Sequence, residues 1–437
     1  MSIPTLQGLQ TALSGLLAEQ QAMDVAGHNI TNANTEGYSR ERVVMETGPE
    51  IPIPSLSAVT GQGAQLGTGV TIETYTRIRN TYLDSQYRTQ NSTLSGAATQ
   101  AEELEQAESA FNEPSSAGIS SQLSNFWSAW NSLAAAPTSE AAKEGVVAAG
   151  QRLATAFNQL SAQLQTISSQ ATQQYEARTG PSGEVADYAR QIAQLNEQIK
   201  QAEQARQPPN DMLDRRDLLI DKLSSLANVT VTQQPDGTDT IAFGDAAKPL
   251  VEGATVNWPQ TLTSAAGGQL GALLSLTGPG GGLTVFASEL DAVAASVAAT
   301  VNELHTSTPF FTGTTAATLK VAVSSPEVQA SSTAAPGGND VALAIAGLRG
   351  GTAEQGYSAL VGLVGSTVAG AKDEQANLQT TLTAIGNQRQ AVSGVSLDEE
   401  MTNLITFQRG YQASARTLTA MDEMLETLIE HTGRAGL

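Results

Sequence analysis

Residues 397–429 read LDEEMTNLITFQRGYQASARTLTAMDEMLETLI, and within them Leu397, Met401, Leu404, Gln408, Tyr411, Ala415, Leu418, Asp422, Leu425 and Ile429 recur at alternating steps of three and four. That alternation is the 3.5-residue repeat of a coiled-coil seam. Ser396 and Glu399 have the spacing of a capping box, and Asp398, Glu399 and Glu400 put negative charge at the positive end of the helix dipole. With Gly433 as the stop, the pattern predicts one helix over 396–432. At about 1.5 Å per residue this is a rod of roughly 55 Å, too long and narrow to bury its own stripe in a small domain.

The amino end carries a weaker copy of the same pattern. Leu6, Leu9, Leu13, Leu16, Gln20, Met23, Gly27 and Ile30 keep the alternation, interrupted by Gly8, Gly15 and Gly27. Each interior glycine costs about 0.5 to 1 kcal/mol relative to alanine, so this helix is expected to be marginal alone and to gain order from a partner. Both terminal stripes are expected to stay uncovered in a lone molecule and to be covered by neighbouring copies.

Between the ends lie further seams: Ile119, Leu123, Phe126, Trp130, Leu133; Leu153, Phe157, Leu160, Leu164, Ile167; and Val185, Tyr188, Ile192, Leu195, Ile199. They predict long antiparallel bundle helices. Another runs from Tyr357 to Val392 and ends at Gly394, where the seam changes phase and a joint is expected. From Asn228 the period switches to two, through Val229-Thr-Val-Thr, a Pro235-Asp-Gly turn, Ile241-Ala-Phe, Val251, Val256 and Trp258, with Leu270 to Leu276 read as a further strand. The glycine-rich run at 278–282 is expected to be a flexible linker, followed by a helix through Phe286, Leu290, Val293 and Val297, then strands within 310–323 and a loop at 330–340.

The expected fold is therefore mainly α with a β insertion: long terminal coiled-coil helices, an antiparallel helical bundle and a small central β module. Three nested domains follow. Residues 1–66 with 395–437 form a terminal coiled-coil assembly domain; 67–227, 283–306 and 341–394 form the bundle; 228–282 and 307–340 form a β-rich outer module.

Composition narrows the partners. The 437 residues hold 22 Lys and Arg against 43 Asp and Glu, a formal charge of −21 that repels nucleic acid and anionic membrane surfaces. Protein partners are expected. There is no cysteine, which removes disulfides and thiolate chemistry. Neither a Sec-type leader nor an apolar run of about 18 to 20 residues able to span a bilayer is expected. His28, His305 and His431 have no second histidine or carboxylate three or four residues on. The glycine run lacks the Lys-Ser/Thr ending of a phosphate loop, and neither a His-Glu-x-x-His nor a Gly-x-Ser-x-Gly motif occurs. No catalytic, cofactor or metal residue is assigned. Asp214 and Asp217 are expected to lie on a helix surface, neutralised by neighbouring Arg215 and Arg216, while Arg409 and Arg416 could select a partner helix by charge.

Asn29-Ile-Thr-Asn-Ala-Asn-Thr-Glu-Gly-Tyr-Ser-Arg40 reads, from its residues, as a helix stop and turn. It also resembles the Asn-Ile-Ala-Asn-x-x-Thr-x-Gly-Tyr signature shared by flagellar rod, hook and hook-associated subunits, with Thr31 for the usual Ala and Glu36 where Pro is common. Three stretches narrow the resemblance to the hook-associated protein 1 family: Asn210-Asp-Met-Leu-Asp-Arg-Arg-Asp217 leading to Asn228-Val-Thr-Val, Gly67-Thr-Gly-Val70, and Ser393 to Glu400 with Phe407 to Arg416.

What the resemblance implies is a structural, non-enzymatic subunit joining hook and filament in the extracellular flagellum, secreted by flagellar export. Its implied partners are further copies in a homo-oligomer ring, hook protein, hook-associated protein 3 and an export chaperone at the carboxyl-terminal helix. The expected assembly residues are Leu6, Leu9, Leu13, Leu16, Met23, Ile30, Asn32, Thr35, Gly37, Tyr38, Leu397, Met401, Leu404, Phe407, Tyr411, Leu418, Leu425 and Ile429. The alternatives are a hook or distal-rod protein, or an enzyme or adhesin module carried on a coiled-coil scaffold.

Overall fold

In the structure, a computed structural model that describes residues 4–53, 64–333 and 337–432, helices form wherever the 3.5-residue seams run. The chain opens with α1 (Pro4–Asn32), then β1 (Glu41–Thr47), β2 (Ile51–Ile53), β3 (Ala64–Leu66) and β4 (Val70–Arg77). β1 pairs antiparallel with β4, and β2 with β3. Asn80 then caps α2 (Thr81–Phe111), its Oδ1 accepting the N–H of Tyr82 at 3.0 Å and of Leu83 at 3.3 Å. Next come α3 (Ile119–Ala135), α4 (Glu140–Thr179), α5 (Glu184–Gln204) and α6 (Asn210–Leu226).

A four-stranded antiparallel meander follows: β5 (Val229–Gln233), β6 (Asp239–Phe243), β7 (Pro249–Glu252) and β8 (Thr255–Val256). Gly237 supplies the φ of +81° in the turn between β5 and β6. The remainder is α7 (Gly268–Thr277), α8 (Gly282–Leu304), the short pair β9 (Phe311–Thr312) and β10 (Lys320–Val321), α9 (Asp340–Ala346), α10 (Thr352–Ser393) and α11 (Leu397–Thr432). Gly394 caps α10 and separates it from α11, at the expected phase break. The expected stop at Gly433 lies outside the described residues.

Two cores hold the body together. Around Phe126, Trp127, Trp130, Phe157, Phe286 and Tyr357 pack α2, α3, α4, α8 and α10. A second core sets α5 and α6 against the meander through Val185, Ile192, Leu223, Ile241, Phe243 and Leu250.

Three expectations are corrected here. Leu270 to Leu276 is helical, with Leu270, Leu273 and Leu276 buried at three-residue spacing, because a short apolar run fits a strand or a buried helix equally well until its neighbours choose. The 278–282 glycines form a tight turn between α7 and α8: a Cβ on Gly281 would run into the carbonyl oxygens of Ser275 and Leu276. Finally, 228–282 and 307–340 do not share one module. Phe310, Phe311, Leu319 and Val323 fold into the first core, while the meander belongs to the second.

Candidate assembly site

The terminal helices lie antiparallel against each other within the chain. Gly8 faces Met421, Gly15 faces Ser414, Glu19 faces Gly410 and Asn29 faces Glu400, equal steps in opposite directions. The buried positions of α1 are small, at Ala12, Ala18, Ala22 and Ala26. Small residues let the two backbones approach. A Cβ on Gly8 would stand 2.7 Å from Met421 Cε, and one on Gly15 would stand 3.1 Å from Ser414 Oγ. These glycines, read above as weak points, are what make the seam close.

This overturns the expectation that both stripes stay uncovered in one molecule. It also moves the seam of α1. Leu9, Leu13, Leu16, Met23 and Ile30 lie about 100° round the helix from the small-residue face. Of these, Leu13 is exposed, as is Leu17 beside it, and the others are half-buried. Leu6 has its side chain outside the described residues. On α11, Leu404, Phe407, Tyr411, Leu418 and Leu425 are half-buried on the face that carries Ser414 and Met421, whereas Leu397, Met401, Ile405, Met424 and Ile429 are 45 to 72% exposed. Arg409 and Arg416 are exposed.

The turn after α1 anchors this pair to the body. Asn29 is buried, and its amide is fully used: Nδ2 donates to Glu41 O at 2.9 Å and Glu400 Oε2 at 3.1 Å, while Oδ1 accepts from Tyr38 Oη at 2.8 Å and Glu41 N at 2.9 Å. Asn32 donates to His28 O and accepts from Thr35 Oγ1, closing the helix. Gly37 has φ +81°, and a Cβ there would meet Leu218 Cβ of α6 at 3.0 Å, so the motif requires glycine twice over. Arg40 pairs with Glu399 and Glu400 at 2.7 Å each, and its N–H donates to Ser393 O at 2.9 Å. Of the residues expected from Asn32 to Tyr38, Gly37 packs on α6, Asn32 and Tyr38 bond within the turn and the end of α1, and Thr35 is exposed.

Behind the turn sits a cluster of four arginines and four aspartates. Arg77 bridges Asp214 at 2.7 Å and Asp217 at 2.9 Å; Arg79 pairs with Asp84 at 2.7 Å; Arg88 bridges Asp217 at 2.9 Å and Asp221 at 2.8 Å; Arg389 bridges Asp84 at 2.8 Å and Asp221 at 2.7 Å. Ser39 donates its N–H and hydroxyl to Asp214, both at 2.7 Å. Burial alone would push the Asp217 carboxyl up, but Arg79, Arg88 and Arg77 hold it well below the usual range. Burial, then the charges of Glu41, Asp214, Asp211 and Glu400, push the Tyr38 phenol up.

The surface pairing expected for Asp214 and Asp217 is therefore wrong. Their partners come from β4 and α2, and Arg216 turns away to Asp239 at 2.9 Å. Nothing in local spacing marks these contacts, since the partner arginines are more than a hundred residues away in sequence. Beside the cluster, a cleft of about 580 Å³ is lined by the 33–39 turn, Arg79, Tyr87, Asp221, Arg389 and Gly394. At the far edge of the turn, His28, Glu41 and Asp211 bring ligand atoms within 4.8 Å of one another, a grouping that no helix spacing reveals.

The profile described as "Flagellar hook-associated protein FlgK helical domain" matches residues 104–265, "Flagellar basal body rod FlgEFG protein C-terminal" matches 387–430, and "Flagella basal body rod protein" matches 9–38. The chain is 31% identical to flagellar hook-associated protein 1 of Bacillus subtilis (strain 168) over 99% of both chains. It is 28% identical to the Salmonella typhimurium protein of that name over 58% of this chain and 44% of the other. A solved flagellar hook junction protein from Burkholderia pseudomallei is 26% identical, with TM-score 0.45, over 51% of this chain and 43% of that one.

Proposed function

The chain belongs to the flagellar hook-associated protein 1 family, structural proteins of the bacterial flagellum at the hook–filament junction, and we propose that it joins the junction through the outer faces of its terminal helix pair. The observation that carries this reading is the division of labour in that pair. Small residues of α1 and half-buried larger ones of α11 close the contact inside the chain, and Leu13, Leu17, Leu397, Met401, Ile405, Met424 and Ile429 are left at 41 to 72% exposure.

Full burial of one such side chain contributes about 1.5 to 3 kcal/mol. Association costs about 4 to 15 kcal/mol in lost freedom, so one shared patch gives weak binding and several neighbours give a stable ring. Copies of this chain would supply the lateral contacts, with hook protein on one side and hook-associated protein 3 on the other. Before assembly, an export chaperone would cover the same apolar positions near 397–430, and the chain would reach the extracellular flagellum by flagellar export. The role is structural and needs no catalysis, in keeping with relatives that are structural proteins.

The double variant Met401→Asp, Ile405→Asp tests this directly. Both side chains are exposed, so the isolated protein should unfold within about 0.5 kcal/mol of wild type. Attachment to hook tips, scored by electron microscopy, should be lost. Wild-type occupancy of hook tips by the variant would overturn the proposal.

A further inference from the structure

His28, Glu41 and Asp211 come from the last turns of α1, the first residue of β1 and the first turn of α6. We propose that these three side chains bind one divalent transition-metal ion of the zinc class, which clamps the terminal helix pair to the body.

The distances suit this. Ligand atoms within 4.8 Å of one another need only a small closure to share an ion at about 2.0 to 2.2 Å from each. The histidine is also held as a ligand would be. Tyr38 Oη donates to Asn29 Oδ1 at 2.8 Å, so its oxygen can accept from His28 Nδ1–H at 3.3 Å. That leaves Nε2 with its lone pair, and a ligating imidazole oriented through its other nitrogen is the usual arrangement.

Charge provides an independent reason. Asp84, Asp214, Asp217, Asp221, Glu399 and Glu400 at the joint each pair with an arginine. Among the described residues Glu41 and Asp211 have no such partner, although Glu41 is half-buried. Two carboxylates facing one imidazole leave negative charge that a divalent cation balances. One nitrogen and two oxygens favour zinc or manganese over calcium, which takes all-oxygen shells.

Full-length protein stripped with chelator and titrated with zinc chloride at pH 7 should bind one equivalent calorimetrically, with a rise in Tm. Cobalt(II) in its place should give a visible absorption band. His28→Gln should abolish the band and weaken zinc binding by about 100-fold or more, and Tyr38→Phe, which keeps all three ligands, by about 10-fold. Asp211 is exposed, so Asp211→Asn keeps the test open if the His28 variant does not fold, and should show the same loss as His28→Gln. Absence of zinc binding by the wild type, or wild-type affinity in the folded ligand variants, would overturn the proposal. The measurement involves no assembly and stands apart from the reading of the terminal helices.

Discussion

In the bundle, Phe126, Trp127 and Trp130 of α3 are at most 1% exposed, whereas in the terminal pair Ala12, Ala18, Ala22 and Ala26 take the buried positions and Leu13, Leu17 and Met401 stand in solvent. Both regions are written in heptads. The bundle spends its large side chains on its own core, so its stability is complete within one chain. In the terminal pair the small residues of α1 let the half-buried large residues of α11 approach closely, and a second set of large side chains stays outside. A region built this way is closed toward its own chain and open toward neighbours.

Removing the largest buried ring should break the comparison on the bundle side. Trp130→Ala deletes a fully buried side chain packed against Phe126, His305 and Phe310, and should cost about 3 to 5 kcal/mol in denaturant unfolding. A loss below about 1 kcal/mol would mean the bundle is no better packed than the terminal pair.

The ionic joint between the two regions should respond to acid. Its folded-state Asp217 carboxyl lies below the unfolded value of about 3.9, so its contribution is fully present above about pH 4 and is lost as pH falls through the folded value. Amide exchange across 29–40 should therefore accelerate in acid before it does in the bundle. Asp217→Asn should reproduce that loosening at pH 7, at a cost of about 3 kcal/mol, because Arg77, Arg79 and Arg88 are left undercompensated.

The smallest of these effects should sharpen the comparison. Gly8→Leu drives a side chain into Met421 and should weaken the terminal pair by about 1 to 3 kcal/mol while leaving the bundle transition where it was. Site-resolved exchange on α1 and α11 reads this out. Equal protection in variant and wild type would mean that the close approach is not needed.

Much of this molecule is legible in its residues. Ser396 marks the start of α11, the Pro235-Asp-Gly turn lies between β5 and β6, and the Asn29 to Arg40 stretch marks the joint because its Asn, Thr and Gly are each chemically suited to ending a helix. The Leu270 to Leu276 helix is not legible locally, because seven apolar-rich residues carry too little periodicity to separate helix from strand.

Residues close together along the chain suffice to locate the long amphipathic helices and to identify the family of the terminal motifs, because both are local properties. Which stripe of α1 faces inward is a matter of packing across the pair. Its small residues and its leucines both repeat at 3.5, and the choice follows from how closely Met421 and Ser414 of the facing helix approach the backbone of α1. Packing likewise brings buried Asp214 and Asp221 and half-buried Asp217 onto arginines from β4, α2 and α10, since charges balance through space and sequence separation places no limit on which of them meet.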